Sequence, residues 1–291
     1  MRSLLFVPAD SDRKLAKGLA SGADALLIDL EDSVAAEHKA HAREQAAAFI
    51  AQHLNVPERP ALIVRVNALA SGLADRDLDA VIAAKPDAVM LPKAEGAASV
   101  IHLDAKLTAR EAMHGLPDGH VKVIAIATET AASLFAAGTY RGASQRLIGL
   151  TWGAEDLSAE LGALTNRGED GRFLDPYRLA RTLCLAGAVA AQVTPIDTVY
   201  VDFKDRDGLR HEALDALRDG FMGKMAIHPA QVDVINEVFT PSSEAVAKAR
   251  AVVAAFAAAP GAGTIGIDGV MYDQPHLRRA RQLLERAKIA R

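Results

Sequence analysis

Charged residues follow several short apolar runs of this chain, at the points where predicted strands end. Glu31 and Asp32 follow the second run, Arg65 ends the third, and Glu129 and Asp156 follow the fifth and sixth. Carboxylate oxygens are the ligands that Mg²⁺ prefers, and a magnesium site typically uses one or two protein carboxylates. Because Glu129 and Asp156 end consecutive strands, we expect their carboxylates to meet and to hold Mg²⁺.

Two basic residues, Arg65 at the end of the third run and Lys93 after the fourth, partly offset the negative charge of these acids. Grouped carboxylates without a cation repel one another, which raises their pKa values. The planar guanidinium of Arg65 suits a carboxylate or a developing oxyanion. From spacing alone, an arginine–carboxylate network that only closes the mouth of the fold explains the same residues equally well.

The strands that must position these residues are near-continuously apolar, which is typical of parallel strands buried on both faces. We predict eight strands, at Leu4–Val7, Ala25–Leu30, Leu62–Val66, Ala88–Leu91, Val121–Ala127, Leu147–Leu150, Thr198–Val201 and Met225–Ile227.

Amphipathic segments separate the strands, and we predict helices that include Ser11–Ala20, Ala36–His53, Leu73–Ala84, Gly96–Arg110 and Pro176–Ala191. Asp10 or Ser11 is expected to cap the first of these helices and Asp175 the fifth. Alternation of eight strands with helices predicts an α/β fold, a (β/α)8 TIM barrel whose active site lies at the carboxyl ends of the strands. An open doubly wound sheet is the alternative.

The pattern changes after the eighth strand. An alanine-rich helix is predicted at Ser242–Ala259, then a flexible Pro260–Thr264 connection, a segment Ile265–Asp273 and a helix from about Pro275 to Ala290. We therefore divide the chain into a barrel, residues 1–240, and a C-terminal helical arm or lid, residues 241–291.

The amino-acid composition excludes several classes of protein. Of 291 residues, 50% are hydrophobic and 24% charged, which excludes disorder, and a net charge of −4 argues against nucleic-acid binding. No apolar run approaches a membrane span, and the apolar stretch at the N-terminus is too short for a signal peptide. The single cysteine, Cys184, excludes a disulfide framework and is predicted to pack in the core. We expect a cytoplasmic protein.

Eight motifs together resemble the citrate lyase β-subunit-like family of the HpcH/HpaI aldolase superfamily, which includes the malyl-CoA and citramalyl-CoA lyases. The resemblance runs in order from residue 2 to about residue 285. The motifs are Arg2–Pro8 (RSLLFVP), Asp29–Val34 (DLEDSV), Val64–Asn67 (VRVN), Leu91–Glu95 (LPKAE), Glu129–Ala131 (ETA), Gly153–Leu157 (GAEDL), Ile227–Gln231 (IHPAQ) and Asp268–His276 (DGVMYDQPH).

This resemblance implies a TIM barrel, assembled as a homotrimer, that cleaves or forms a C–C bond beside a CoA or acyl-carrier thioester. It implies that Glu129 and Asp156 hold Mg²⁺ and that Arg65 contacts substrate oxygens. It also implies that Glu31 and Asp32 lie near the water ligands of the metal.

Further site residues come from the same resemblance. Asp273, on the C-terminal arm, is expected to be catalytic and to reach into a neighbouring subunit. The residues expected to contact the substrate or CoA, besides Arg65, are Arg2, Lys14, Gly153, Ala154 and Glu155.

Four functions fit these observations. The first is a stand-alone Mg²⁺-dependent lyase that releases an α-keto acid and a shorter acyl-CoA. The second is the β subunit of a citrate lyase complex acting on citryl-acyl-carrier protein, and the third is a malyl-CoA-type thioesterase. The fourth, a barrel kept as a binding or assembly module, is disfavoured because clustered charges are costly in a site without chemistry.

Overall fold

Eight parallel strands close into a barrel in which each strand pairs with the next along the chain and β1 also pairs with β8. A computed structural model describes residues 1–289. The strands are β1 (Ser3–Pro8), β2 (Ala25–Asp29), β3 (Ala61–Arg65), β4 (Ala88–Leu91), β5 (Lys122–Ile126), β6 (Leu147–Thr151), β7 (Thr194–Asp197) and β8 (Gly223–Ala226). The predicted TIM barrel is confirmed, and the open sheet is excluded.

Helices follow the strands and cover the outside of the barrel. They are α1 (Asp12–Leu19), α2 (Lys39–His53), α3 (Ala74–Val81), α4 (Ala97–Met113), α5 (Ala131–Ala136), α6 (Ala154–Glu160), α7 (Asp175–Ala191), α8 (Arg206–Asp219) and α9 (Val232–Phe239). Ser11 caps α1, as predicted, by accepting a hydrogen bond from the Lys14 amide. Asp175 does not cap α7, because it is already the first helical residue and Leu174 precedes it. Within residues 1–289, no helix is long and apolar enough to cross a membrane.

The interior of the barrel is a packed hydrophobic core rather than a channel. Alternate residues of the strands supply it, since successive side chains of a strand point to opposite faces. Its buried members are Leu4, Ala25, Leu27, Ile63, Ala88, Met90, Ile124, Ile126, Ile196 and Met225. Cys184, on α7, is fully buried outside this core, as predicted for a packing residue.

The seventh strand is where the sequence prediction was wrong. We predicted Thr198–Val201, whose β-branched and aromatic residues favour a strand, but β7 is Thr194–Asp197 and the chain after it is irregular. Packing of Ile196 in the core and a buried ion pair fix the observed register. Lys224 Nζ on β8 lies 2.7 Å from Asp197 Oδ2, and neither side chain is exposed to solvent by more than 1%.

The chain divides into two compact units, Met1–Asn236 and a second that begins at Glu237. The second unit contains α10 (Ser243–Ala258), a hairpin of β9 (Thr264–Ile267) and β10 (Val270–Asp273), and α11 (Gln274–Ile289).

The second unit has a core and a turn of its own. Ala249, Val252 and Phe256 of α10 pack with Leu277 and Ala280 of α11. The hairpin, which is predicted from sequence only as a segment without assigned structure, turns at Asp268–Gly269, where both residues have positive φ. An Asp-Gly pair favours this tight turn. The predicted end of the last helix, Ala290, lies outside the described residues.

Candidate active site

Charged side chains from five neighbouring strand ends gather at the carboxyl end of the barrel. We call this set the mouth cluster; its members are Asp29, Glu31, Asp32, Arg65, Lys93, Glu129 and Asp156. Their backbone positions follow from the barrel, because parallel strands β2 to β6 all end at the same edge. The cluster therefore lies where barrel enzymes place their catalytic residues.

Arg65 is held by a carboxylate on the neighbouring strand. Its Nε and one terminal nitrogen each donate a hydrogen bond of 2.7 Å to the two carboxylate oxygens of Asp29. Its other terminal nitrogen lies 3.0 Å from Glu31 Oε2, and its guanidinium carbon lies 4.7 Å from the centre of the Phe6 ring. Two carboxylates and an aromatic face thus fix the guanidinium in one position.

Burial and ion pairing act in opposite directions on these acids. Burial raises the pKa of the Asp29 carboxyl, but the hydrogen bonds and positive charge of Arg65, together with hydrogen bonds from Ser33 and Glu31, hold the pKa below its ordinary value. Burial also raises the pKa of Glu31, and there Arg65 and Lys93 only partly offset the effect. Asp29 is therefore a firmly ionised anchor, whereas Glu31 binds a proton more readily than an ordinary glutamate.

Lys93 connects the acids of β2 with those of β5 and β6. Its amide nitrogen donates a 2.6 Å hydrogen bond to Glu129 Oε2, and its ammonium nitrogen lies 2.6 Å from Glu31 Oε1. The same ammonium lies 3.4 Å from Asp156 Oδ1 and 3.7 Å from Asp32 Oδ2.

Glu129 is a buried acid with a more accessible neighbour. It is 3% exposed, whereas the Asp156 side chain is 31% exposed. Burial, and next the nearby negative charge of Asp156, raise the pKa of Glu129 to about 8. Gly153 makes room for it, since a Cβ atom at that position would lie 2.7 Å from Glu129 Cγ. Placing the Glu129 and Asp156 carboxylates side by side therefore costs electrostatic free energy in the folded protein.

These two carboxylates fit a hard divalent cation. Such an ion would favour the ionised form of Glu129 that burial and Asp156 disfavour. Among the described residues there is no group of three or more histidine, cysteine or acidic side chains arranged to hold a metal. Magnesium does not need one, because it commonly binds through one or two carboxylates and fills its other positions with water and substrate oxygens.

Comparison with known proteins places this barrel in a family. A family model described as HpcH/HpaI aldolase/citrate lyase matches residues 2–229, which include the whole mouth cluster. The chain belongs to the HpcH/HpaI aldolase/citrate lyase family. The resemblance expected from the sequence motifs is confirmed.

Two relatives and one solved structure show the range of this family. A citrate lyase subunit beta-like protein of Mycobacterium tuberculosis is 39% identical over 285 residues, which are 97% of this chain and 94% of that protein. A (3S)-malyl-CoA thioesterase of Cereibacter sphaeroides is 36% identical and covers 99% of this chain and 94% of its own length. The crystal structure of CitE from M. tuberculosis, in complex with magnesium, acetoacetate and coenzyme A, is 37% identical. It superposes with a TM-score of 0.78 over 99% of this chain and 98% of that one.

The structure brings some of the other residues expected from the family motifs to the mouth. Gly153 is the N-cap of α6 and lies against the Glu129 side chain, and Ala154, the first residue of that helix, is buried. Glu155 is exposed, and its Oε1 accepts a 2.7 Å hydrogen bond from Asn166. Lys14 is an exposed residue of α1, the helix that follows the carboxyl end of β1.

Arg2, which the motifs predict to contact the substrate or CoA, does not lie at the mouth of its own barrel. It precedes β1, and its guanidinium and amide groups donate hydrogen bonds to Asp24, which precedes β2. Both residues therefore lie at the amino end of the barrel, opposite the mouth cluster. The pair ties the starts of two strands together, which accounts for the charge of Arg2 without a ligand.

Asp273 ends the second strand of the hairpin in the C-terminal unit. One of its oxygens accepts a 3.3 Å hydrogen bond from the amide of His276 and also contacts the His276 ring. The hydrogen bond with His276 lowers the pKa of the Asp273 carboxyl. Asp273 is therefore an ionised carboxylate at the start of α11.

Sequence reasoning left Asp29 and Lys93 out of the set of site residues. Asp29 was visible as the last residue of an apolar run, but its two hydrogen bonds to Arg65 depend on strand register. Lys93 was visible as an offsetting charge, but its contacts depend on an unusual backbone conformation, with φ at 51°. No local sequence pattern predicts either arrangement.

Proposed function

We propose that this protein is a Mg²⁺-dependent carbon–carbon lyase for 3-hydroxyacyl thioesters of the malyl-, citramalyl- or citryl-CoA type. Glu129 carries this proposal, because it is a buried carboxylate placed beside Asp156 with a pKa raised to about 8, and a bound cation would favour its ionised form at neutral pH. The products are an α-keto acid and a shorter acyl-CoA. Similarity to CitE, whose structure contains magnesium, acetoacetate and coenzyme A, supports the class of cofactor and substrate.

The bond that breaks joins the hydroxyl-bearing carbon to the carbon next to the thioester. The hydroxyl loses its proton and becomes the carbonyl of the α-keto acid, and the electrons of the C–C bond form the thioester enolate. Glu129 and Asp156 would hold Mg²⁺, whose chemistry there is Lewis-acid polarisation of the substrate's hydroxyl and carboxylate oxygens. We assign acceptance of the hydroxyl proton to Glu31 and Asp32, and the raised pKa of Glu31 suits that role.

Arg65 stabilises negative charge that develops on substrate oxygen. Its guanidinium is already fixed by Asp29 and Phe6, so no reorganisation is needed during the reaction. We assign positioning of the substrate above Glu129 to the segment Gly153–Glu155, and contact with a phosphate of CoA to the exposed Lys14.

Asp273, ionised in the resting protein, removes a proton from the carbon next to the thioester in condensation. In cleavage the same carboxyl takes up a proton from water and delivers it to the enolate carbon. Because Asp273 belongs to a separate compact unit, we propose that it acts on the site of a neighbouring subunit in a homotrimer. In this proposal the C-terminal unit serves as a lid that excludes water when it supplies Asp273. The motif resemblance supports the trimer, and a single buried cysteine supports a cytoplasmic location.

Thioester hydrolysis is a second candidate, favoured by the similarity to a (3S)-malyl-CoA thioesterase. Arg65 would then stabilise the oxyanion formed when water attacks the thioester, and Glu129 and Asp156 would hold the metal as in the lyase reaction. The products separate the two reactions, because hydrolysis gives free CoA and an intact hydroxy diacid.

The test is an assay of malyl-, citramalyl-, β-methylmalyl- and citryl-CoA, with Mg²⁺ and with EDTA. We expect an α-keto acid and a shorter acyl-CoA, with turnover abolished by EDTA and by Glu129→Gln. Glu160→Gln is the matched control, because Glu160 is an exposed carboxylate outside the mouth cluster that accepts a hydrogen bond from the Ala131 amide. Free CoA without an α-keto acid would identify a thioesterase. Inactivity on all four thioesters would favour a citryl thioester on an acyl-carrier protein.

A further inference from the structure

The ammonium group of Lys93 has contacts that the proposed reaction does not use. It lies 2.6 Å from Glu31 and 3.4 Å from Asp156, which follow β2 and β6. It thus spans the mouth of the barrel and supplies the ion pair of Asp156, one of the two residues assigned to the metal. The side chain is 32% exposed, so solvent reaches it.

The backbone of Lys93 adopts a strained conformation, and contacts of the residues that follow it hold this conformation in place. Its φ of 51° is in the left-handed region, which costs a non-glycine residue conformational energy. Tyr140 secures the following residues: its hydroxyl donates to the Ala94 carbonyl at 3.1 Å and accepts from the Gly96 amide at 3.2 Å. Gly96 also has positive φ, and a Cβ atom there would lie 2.5 Å from Thr139. Strain maintained in this manner is typical of functional sites.

In this conformation the amide and the ammonium group of Lys93 each contact one of the two proposed metal ligands. The amide of Lys93 donates to Glu129, and the ammonium pairs with Asp156. An amide can remain bonded to a carboxylate oxygen when the carboxylate binds a metal through its other oxygen. A positive ammonium beside Asp156, however, opposes a second cation at the same carboxylate.

We propose that Lys93 is an internal counter-cation that competes with Mg²⁺ for Asp156 and holds the two ligands in position when no metal is bound. This inference rests on the proposed function, since it requires Glu129 and Asp156 to be the metal ligands. When a divalent cation takes Asp156, Lys93 retains Glu31, which is already its closer partner. Lys93 is thus a positioning residue, and it makes metal affinity lower than the two carboxylates alone would give.

The experiment measures binding of Mg²⁺ by calorimetry, together with the melting temperature in EDTA and in Mg²⁺, so that no readout depends on turnover. Lys93→Met is compared with the wild type and with Lys106→Met. The control removes the same charge from an ammonium that pairs with Asp75 outside the mouth cluster. We expect Lys93→Met to bind Mg²⁺ at least about fivefold more tightly, a typical size for coupling between two sites. It should also melt lower than the wild type in EDTA and gain more from Mg²⁺.

Lys93→Gly provides a second variant that removes the ammonium and also relieves the strain, because glycine favours positive φ. It should show the same tighter binding even if Lys93→Met does not fold. An unchanged Kd for Mg²⁺ in both variants, with normal binding by the wild type, would overturn the role of Lys93 alone. Failure of the wild type to bind Mg²⁺ would overturn the proposed function and this inference with it.

Discussion

Asp29 and Arg65 lie opposite each other on neighbouring strands β2 and β3 and share two hydrogen bonds of 2.7 Å. The Asp29 side chain is 1% exposed and that of Arg65 is 11% exposed, so the pair is shielded from water. Asp29 also accepts hydrogen bonds from the amides of Glu31 and Ser33. One carboxylate thus fixes both the arginine of the site and the acidic loop beside it.

Substitution Asp29→Asn should damage both stability and catalysis. Removing one partner of a buried ion pair costs about 3–5 kcal/mol of the free energy of unfolding when the other charge is left uncompensated, and Asp29→Asn should cost less because Arg65 keeps Glu31 as a counter-charge. We expect kcat to fall about 100-fold, since a misplaced Arg65 no longer stabilises the oxyanion. Chemical denaturation and steady-state kinetics measure the two effects. Asp24→Asn, which breaks the Arg2 pair at the opposite end of the barrel, should lower stability without lowering kcat.

Removal of the metal should make stability depend on pH through Glu129. Its pKa is raised from 4.5 to about 8 in the folded protein, so the protonated form is the one that the fold favours. The stability contributed by this group is fully present below about pH 4.5 and is lost as pH rises through about 8. In EDTA, the melting temperature of the wild type should therefore fall relative to that of Glu129→Gln across this window. Parallel curves for the two proteins would show that Glu129 does not titrate in this manner.

The size of residue 153 should control metal binding. A Cβ atom at Gly153 would lie 2.7 Å from Glu129 Cγ and 2.9 Å from its Oε1, so Gly153→Ala must displace this carboxylate. We expect Mg²⁺ to bind about tenfold more weakly, as when the surroundings of a metal ligand are altered. Gly138→Ala is the control, because a Cβ atom there meets no atom within 4 Å. Equal Mg²⁺ affinity in both variants would argue against Glu129 as a ligand.

Much of the barrel could be predicted from sequence, because parallel strands buried on both faces appear as continuous apolar runs. The position of β7 could not be predicted in this way. Thr198–Val201 has the stronger strand propensity, but burial of Ile196 and the Asp197–Lys224 ion pair place β7 at Thr194–Asp197. Local propensity cannot anticipate a register that is fixed by contacts with β8.

The charged residues of the site were predictable as strand-end residues, but their pairing was not. The spacing of Glu129 and Asp156 identifies neighbouring strand ends, and the family motifs agree with it. The conformation of Lys93 depends on Tyr140, which follows α5 and is distant in sequence. The place of Arg2 could be predicted, because a motif residue that precedes β1 lies at the amino end of the barrel.

Mixing two inactive variants should restore activity if Asp273 acts on a neighbouring subunit. Glu129→Gln and Asp273→Asn each remove one necessary group. In a mixed oligomer, an intact Glu129 on one chain can meet an intact Asp273 on the next, so co-expression should recover a measurable fraction of wild-type turnover. Each variant alone is the control. A co-expressed mixture that forms oligomers but stays as inactive as the separate variants would show that Asp273 acts within its own chain or not at all.

Glu129 and Asp156 are proposed to form a metal-dependent lyase site. The most direct measurement is release of α-keto acid from citramalyl-CoA and malyl-CoA by the wild type and Glu129→Gln, with Mg²⁺ present and then removed by EDTA. We predict release by the wild type only, abolished by EDTA and restored by added Mg²⁺. Undiminished release in EDTA, or by Glu129→Gln, would contradict the account.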